Sequence, residues 1–513
     1  MYRYYNIFLR NKVIITAILI FIVASFLRFY HVPQLFVFTA DEEYAITLAK
    51  PIVKDFHIIW IGENAADTGF YMGPFWVYFT SFWLYLSKGN PLILAYVVAG
   101  IGSITAVLIF FIAKSLFNYQ IALITSLLFS VLPLRVYYDK KFWLLNPAPF
   151  ITVSLFYSLC QTYKNKLWWL IVAILFGLIL HIHLSLLPFG IVILYVIWSQ
   201  RKKINKRILI LSFIAFLLTI SPLIAFDYFH KGSNITTPLR LINDTSSEKR
   251  SIDLNDHFQQ LYQSFGRLWY LYPNRSNSDE VLFACHPFNF NKSILIPNLN
   301  TTASTAYFIP SFLSLLLFIW FIWFFTRSKT WKNNNYKIFA LSLIVLLLGF
   351  IFFPGLVMEY YLFGVVTLFL FIPGILFSNL NGFPKFAFLV FLITIFFLGI
   401  NTTLTATSEY GFSEKIKLVK QVSNYLRSNT FELKETGLCH GYEGWRTMFI
   451  TYGKRPERSS ADESLGYLYP DEISNKETSY IVLMSEARIL RKYNSKTTKV
   501  FSEGGFQALV TKK

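Results

Sequence analysis

Long runs of apolar residues alternate along this chain with short polar segments. The first run extends from Val13 to Leu27, and the last one ends at residue 403. An apolar run of about 18 residues or more is long enough to cross the hydrocarbon core of a membrane as a helix. The pattern therefore predicts a polytopic α-helical membrane protein with about eleven transmembrane helices. The predicted spans are 13–27, 91–113, 121–134, 143–162, 167–183, 184–199, 208–226, 306–326, 338–354, 360–377 and 386–403.

The aromatic-rich segment Tyr71–Leu86 is a further candidate helix. We predict that it lies at the membrane surface, as an interfacial or re-entrant helix, because aromatic side chains favour that depth. Counting it as a full crossing would put Arg201-Lys202-Lys203 outside. With a cytoplasmic N-terminus, the predicted cytoplasmic segments instead hold sixteen Lys and Arg residues and no Asp or Glu. The positive-inside rule thus predicts a multi-pass plasma membrane protein whose N-terminus is cytoplasmic.

The composition agrees with a membrane protein. Hydrophobic residues make up 55% of the 513 residues and charged residues only 15%, too few to cover a soluble domain of this length. The net charge of +19 is explained by basic cytoplasmic loops that meet anionic lipid, so no nucleic acid partner is predicted. Of the three cysteines, Cys160 falls in a span, and pairing of Cys285 with Cys439 stays open.

Hydrophobicity falls sharply after residue 403. In the tail (residues 404–513), a helix-like stretch from Ser413 to Arg427 precedes strand-like runs at Tyr480–Met484 and Gln507–Val510. The pattern predicts a small extracytoplasmic α/β domain. Residues 1–403 would then form a transmembrane module.

Two large outer loops are predicted in this module, at residues 28–90 and 229–305. The spans 167–183 and 184–199 hold only 33 residues together, fewer than two crossings of a ~30 Å core require. Two short helices here would leave a recess that opens to the outside, suited to a lipid-linked substrate.

The motif Asp41-Glu42-Glu43-Tyr44 is the most informative candidate for chemistry. Adjacent carboxylates repel, so one of them can hold a raised pKa and act as a base near neutral pH. The alternative is a solvated acidic turn that caps a helix over Tyr44–Ala49.

Three further clusters fall on the same predicted side of the membrane. Each also has a structural interpretation, namely interfacial anchoring for the first and third, and hydrogen bonding between helices for the histidines. Alternate residues on a regular helix point about 200° apart, so a joint metal site on the two histidines is not expected. The clusters are Arg135 with Tyr138, Asp139 and Lys140, then His181 with His183, and Glu359 with Tyr360 and Tyr361.

These motifs resemble the GT-C glycosyltransferases, and among them the family 39-like enzymes. That group includes protein O-mannosyltransferases and lipid A aminoarabinose transferases. The resemblance covers roughly the first 200 residues well and the later spans loosely. It rests on Asp41-Glu42-Glu43-Tyr44, Gly73-Pro74-Phe75-Trp76, Lys114-Ser115-Leu116-Phe117-Asn118, Arg135 with Asp139, and Glu359-Tyr360-Tyr361-Leu362-Phe363.

The resemblance implies an inverting transfer of one sugar from a polyprenyl-phosphate donor to a hydroxyl of a protein, lipid or glycan, outside the cytoplasm. An independent argument supports the donor class, because nucleotide sugars are cytoplasmic and do not cross a bilayer. By resemblance, Asp41 would be the general base, with Glu42 as the alternative. Asp139 would be a second acid that orients the acceptor or a cation.

A phosphate leaving group is already a stable anion, so it requires positive charge rather than a general acid. The available groups are Arg135, Lys140, His181 and His183, and the other candidates for substrate binding are Tyr138, Glu359, Tyr360 and Tyr361. Glu359 departs from the family, which often has a basic residue or His before this tyrosine. The scheme requires no cofactor, and a divalent metal stays open because only some relatives bind one.

Two other functions remain alternatives. A multi-pass transporter or lipid-linked sugar flippase would show charged or broken helices near the bilayer midplane and internal symmetry, and neither is visible in the sequence. A non-catalytic assembly protein would use the acidic loop as a surface for a partner.

Overall fold

The computed structural model describes residues 2–65, 68–243, 254–269, 303–328, 330–353, 357–437, 444–459, 476–486 and 498–513. Cys285 and Cys439, and with them the question of their pairing, lie outside these residues. Cys160 is buried and has a free thiol.

Helices form most of the described chain. They are α1 Tyr2–Phe29, α2 Val32–Leu35, α3 Ala40–Asp55, α4 Phe75–Leu86, α5 Leu92–Leu116, α6 Tyr119–Val131, α7 Pro133–Tyr138, α8 Ala148–Gln161, α9 Trp168–Ile179, α10 Phe189–Gln200, α11 Lys206–Thr219, α12 Ser221–Phe229, α13 Ser233–Asn243, α14 Leu254–Arg267, α15 Ala303–Arg327, α16 Asn334–Ile351, α17 Phe363–Phe369, α18 Phe371–Ser378, α19 Gly382–Thr405, α20 Phe412–Leu426 and α21 Trp445–Tyr452. Short 3-10 turns cover Leu184–Leu186, Thr330–Lys332 and Glu359–Leu362.

Each of the eleven predicted spans coincides with an apolar helix or helix pair, but their lengths differ. Among the described residues, five helical segments are long and apolar enough to cross a membrane, and α11 with α12 adds a sixth if this pair, bent by 61°, is one span. The other apolar helices have 10–17 residues. The membrane-protein class is thus supported, and the count of eleven crossings stays a prediction.

The helices α9 and α10 are short, as their combined length predicts. Each has 12 residues, or about 18 Å of helix. The 3-10 turn Leu184–Leu186 lies between them, and the end of α10 returns to the start of α9, where the amide of Gln200 donates to the Thr162 hydroxyl over 2.7 Å. The helix α4 likewise has 12 residues, too few for a crossing, and its depth in the membrane stays a prediction.

The tail contains a five-stranded sheet with the order β2-β1-β3-β5-β4. Its strands are β1 Phe431–Glu435, β2 Arg458–Ser459, β3 Tyr480–Glu486, β4 Thr498–Glu503 and β5 Phe506–Lys512. The strand β1 is parallel to β2 and β3, whereas β5 is antiparallel to β3 and β4. The predicted helix and both predicted strands are present, as α20, β3 and β5. A separate domain at 404–513, located outside the membrane, stays a prediction.

The tail packs against the residues that follow α1, in the predicted loop 28–90. The backbone N–H of Phe412 donates to the carbonyl of Phe36 over 2.8 Å, and the two rings stack at 5.3 Å. Buried side chains of α2, α3, α4, α20 and the sheet belong to one hydrophobic cluster. The predicted loop 28–90 and the last strands of the tail therefore share a core.

A buried ion pair joins the end of α1 to Asp139, the residue that follows α7. Arg28 at the end of α1 is 0% exposed and donates from Nε to Oδ2 of Asp139 over 2.8 Å. Its Nη atoms donate to the carbonyls of Ser130 and Phe129. Charges in an apolar interior are stable only when they are paired and hydrogen-bonded, so this contact fixes the end of α1 against α6 and α7.

The substitution Gly102→Ala tests this contact. Gly102 lies on α5 beside the ion pair, and a Cβ there would collide with Oδ2 of Asp139 and come 2.6 Å from Nε of Arg28. We expect Gly102→Ala to lower the free energy of unfolding by about 1–3 kcal/mol, measured by thermal unfolding in detergent. Gly100→Ala on the same helix is the control, since nothing lies within 4 Å of its added Cβ. Equal melting temperatures for the two variants would contradict the prediction.

Candidate active site

The candidate base motif lies in the first turn of α3. Thr39 precedes this helix, and its backbone N–H and its hydroxyl both donate to Oε2 of Glu42, over 2.8 and 2.6 Å. This is the capping arrangement of a Thr followed three residues later by a Glu, and it satisfies donors at the helix start. The motif therefore combines the predicted helix cap with a set of acids held in fixed directions.

The three consecutive acids have different environments. Asp41 is exposed, and its carboxylate makes no hydrogen bond or ion pair to another described residue. Glu42 is 0% exposed, and burial raises the pKa of its carboxyl, although nearby Lys141 opposes the shift. Glu43 is also fully buried and points toward the tail. Only Asp41 offers an unengaged carboxylate at the surface of this turn.

A fourth acid, Glu63, lies beside Asp41 and Glu42. Its backbone carbonyl accepts the N–H of Met72 over 2.9 Å, and this contact fixes its position. Burial and the two neighbouring carboxylates raise the pKa of Glu63 to about 8. Glu63 is thus protonated at neutral pH and does not add a negative charge next to Asp41.

The late motif is joined to two distant helices through Glu359. Its Oε1 accepts a hydrogen bond from Nε of Arg267 over 2.7 Å, and its Oε2 accepts one from the Tyr138 hydroxyl over 2.8 Å. All three side chains are buried. The Nη1 atom of Arg267 is buried and has no hydrogen-bond partner among the described residues.

Aromatic side chains connect the late motif to the acidic cluster. Trp143 packs against Tyr360 at 4.8 Å between ring centroids, and the ammonium of Lys141 lies 3.9 Å from the Trp143 ring centroid. Tyr361 contacts His183 at 4.4 Å. Asp41 lies within electrostatic range of Tyr360. Segments far apart in sequence therefore meet at one place.

Tyr137 confirms that the two acidic clusters are close. Burial raises the pKa of its hydroxyl, and the charges of Arg267, Glu359 and Glu42 all act on it. Tyr137 lies on α7, so this short helix stands between the start of α3 and the late motif.

The predicted residues Arg135, Asp139 and Lys140 lie deeper, behind this surface. Asp139 is 1% exposed, with Arg28 on one carboxylate oxygen and Arg135 on the other. The ammonium of Lys140 donates to the carbonyls of Leu27, Arg28 and Tyr30 at the end of α1. Burial and the Arg28 charge lower the pKa of Lys140 to about 7. Direct contact of Asp139 and Lys140 with substrate, as the sequence predicts, therefore conflicts with the engagement of their polar atoms.

Arg135 differs from its two neighbours. Its guanidinium lies 4.5 Å from the ring centroid of Phe363, and its Nε and Nη1 atoms are buried with no hydrogen-bond partner in the described part of the chain. Two of its three guanidinium nitrogens are therefore not engaged by the described side chains and backbone.

His181 holds the second motif of the resemblance in place. Its Nδ1 accepts the backbone N–H of Phe75 over 3.3 Å and its Nε2 lies 2.9 Å from the carbonyl of Thr219, which requires the proton on Nε2. A Cβ at Gly73 would collide with this ring, so only glycine fits there. His181 thus has a structural environment, as the alternative interpretation predicts, whereas His183 faces Tyr361.

Sequence reasoning missed three residues of this region, Arg28, Glu63 and Arg267, and it gave no role to Lys141, which belongs to the cluster that begins at Arg135. Arg28 and Lys141 are adjacent to predicted features and look like interfacial anchors. Glu63 lies in a loop and Arg267 at the end of α14, and no local sequence pattern distinguishes either of them. No group of three or more His, Cys, Asp or Glu side chains in the described chain has the geometry of a metal site, so we derive no step through a metal.

The chain is similar to known proteins in one segment of its sequence and in its fold. The family model described as dolichyl-phosphate-mannose-protein mannosyltransferase matches residues 72–226. No curated protein matches the chain. The crystal structure of apo ArnT from Cupriavidus metallidurans matches with a TM-score of 0.59 at 11% identity, covering 96% of this chain and 97% of that chain. The same protein bound to undecaprenyl phosphate matches with a TM-score of 0.54 at 12% identity, covering 98% and 97%.

These matches confirm the resemblance to the GT-C superfamily, on the level of the fold and of one matched segment. They do not favour the transporter alternative. The roles of the individual side chains stay predictions.

The raised pKa of Glu63 gives a test of the acidic cluster. An unfolded Glu loses its proton near 4.5, whereas Glu63 in the fold keeps it up to about 8. The folded state then binds the extra proton, so the free energy of unfolding falls as pH rises from about 4.5 to about 8. We expect Glu63→Gln to weaken this fall, measured by chemical unfolding at several pH values. Asp55→Asn, at the exposed end of α3, is the control, and identical profiles for all three proteins would contradict the prediction.

Proposed function

We propose that this protein, which has the GT-C fold, is an inverting glycosyltransferase. It would transfer a single sugar from a polyprenyl-phosphate donor to a hydroxyl of a protein, lipid or glycan on the extracytoplasmic side of the membrane. The fold supports the general class, since ArnT, with which the chain shares its fold, has been solved with undecaprenyl phosphate bound. The sugar, the stereochemical course and the acceptor belong to the proposal.

One observation carries the proposal. Asp41 is the exposed and unengaged acid in a turn whose other two acids are buried and anchored. A general base requires a carboxylate that is accessible to the acceptor and held by a rigid element. Glu42, the alternative base, has its Oε2 engaged by Thr39, so Asp41 is the better candidate.

The chemistry of the transfer follows from this placement. The Asp41 carboxylate takes the proton of the acceptor hydroxyl, and the oxygen of that hydroxyl attacks the anomeric carbon of the sugar. The new bond forms on the face opposite the phosphate, and the bond to the phosphate oxygen breaks with its electron pair. The products are the inverted glycoside and the polyprenyl phosphate anion. Asp41 then returns its proton to water.

The leaving phosphate requires positive charge in place of a general acid. Arg267 and Arg135 supply buried N–H groups that have no hydrogen-bond partner among the described residues. Lys141 lies over the Trp143 ring beside the acids. We assign the phosphate to these groups. Tyr138 and Glu359 then orient Arg267, and Asp139 orients Arg135. Lys140 and His181 hold the fold around the site.

The remaining candidates form the wall of the sugar site in this proposal. Tyr360 and Tyr361 pack on Trp143 and on His183 respectively, and they present rings beside the acidic turn. Aromatic faces suit the apolar side of a sugar ring, and hydroxyls of tyrosine donate to its oxygens.

The substitution Asp41→Asn tests the base. We expect turnover to fall by about 100-fold or more, because the amide does not accept the acceptor proton. Release of undecaprenyl phosphate from a panel of undecaprenyl-phosphate sugars, in proteoliposomes with membrane extract as acceptor source, measures it. Asp55→Asn removes the same charge from the exposed end of the same helix and should keep wild-type turnover. Wild-type turnover in Asp41→Asn would contradict the role of Asp41.

Cysteine labelling tests the orientation. In a chain whose Cys285 and Cys439 are replaced by Ser, we expect Asp55→Cys in the first outer loop to react with a membrane-impermeant maleimide on intact cells. Lys202→Cys, in the exposed turn after α10, should react only after permeabilisation. The reverse pattern would place the site on the cytoplasmic side and refute the lipid-linked donor argument.

A further inference from the structure

The third acid of the motif, Glu43, contacts the tail. Its Oε1 accepts the backbone N–H of Thr447 over 2.6 Å, although the two residues are 404 positions apart. Nη1 of Arg446 lies 3.8 Å from the same oxygen. Thr447 is in the first turn of α21, where backbone N–H groups have no acceptor within the helix and a negative charge is favourable. A carboxylate of α3 thus caps a helix of the tail.

The tail approaches the start of α3 at a second point. Gly444 immediately precedes α21 and has a φ of 84°, a conformation that side chains disfavour. A Cβ there would also lie 2.9 Å from Cδ1 of Phe38 and 3.0 Å from the carbonyl oxygen of Thr39. The position therefore requires glycine for its backbone conformation and for its space.

A third contact comes from a buried lysine. Lys415 on α20 is 0% exposed and donates from Nζ to the carbonyl of Phe38 over 2.7 Å. Its ammonium also lies 4.6 Å from the ring centroid of Trp445. Burying an ammonium costs free energy unless it is well bonded. The hydrogen bond and the ring contact compensate this charge, and they hold the segment before α3 against α20.

All three contacts converge on residues 38–43, which include Asp41. Asp41 itself takes no part in them, since its carboxylate is exposed and unengaged. An acid that is free at its tip can be aimed only through the backbone on either side of it. Displacement of a reacting group by about 1 Å can reduce turnover by about 100-fold.

We infer that Glu43 is a positioning residue, and that the tail, through α21, fixes the first turn of α3 so that Asp41 points at the acceptor. The inference rests on the proposed function. It makes the tail a part of the active site although the tail supplies no reacting group.

Three variants of the full chain separate positioning from stability. We expect Glu43→Ala to lower kcat by about 10- to 100-fold per folded molecule, with the KM for the lipid donor within about twofold of wild type. Glu43→Gln keeps an oxygen that accepts the Thr447 N–H and should restore most of kcat. Tyr452→Phe removes a different bond of α21, the 2.6 Å contact from its hydroxyl to Asn90 in the turn before α5, and should keep kcat.

A readout without activity completes the test. Hydrogen–deuterium exchange should increase in peptides covering residues 36–47 of Glu43→Ala, and not in those of Tyr452→Phe. Gly444→Ala should resemble Glu43→Ala, whereas Gly89→Ala, with a φ of 83° and nothing within 4 Å of the added Cβ, controls for backbone strain. Wild-type kcat or unchanged exchange in Glu43→Ala would overturn the inference. Absence of turnover in the wild-type protein with every lipid-linked sugar would instead overturn the proposed function.

Discussion

The pairing of charge inside an apolar helical bundle is the constraint on which this structure depends. Asp139 accepts from both Arg28 and Arg135, and Lys140 binds three carbonyls at the end of α1. These bonds hold α7 in a fixed place, and α7 in turn carries Tyr137 and Tyr138 toward the acids and the late motif. An uncompensated charge in this position would cost several kcal/mol. The exposed Asp41 therefore lies outside this structural ion pair rather than within it.

The helices could be predicted from the sequence because a run of apolar residues has one meaning in a membrane protein. The tail helix and two of its strands followed from periodicity. The ends were less accessible: α7 and the 3-10 turn Leu184–Leu186 interrupt runs that look continuous. The strands β1 and β4 escaped prediction because charged residues dilute their alternation.

The site was predicted where its residues adjoin one another in sequence, as in Asp41-Glu42-Glu43. The pairing of Glu359 with Arg267 joins residues 92 positions apart, and no local pattern reveals it. In this ion pair the positive charge comes from Arg267 on α14, whereas the resemblance leads one to expect a basic residue or His at the position of Glu359. In the motif Asp41-Glu42-Glu43, consecutive helical residues point about 100° apart. They therefore take three different roles, as an exposed acid, a helix cap and a contact to the tail.

The core that the predicted loop 28–90 shares with the tail has a consequence for biosynthesis. Domains generally fold in the order of their synthesis, from the N-terminus. Residues 36–43 leave the ribosome early, yet Phe412 and α21, which complete their packing, follow all the apolar helices of the chain. The acidic turn stays unfinished until membrane insertion is over. A partly inserted chain therefore lacks the contacts that complete this turn.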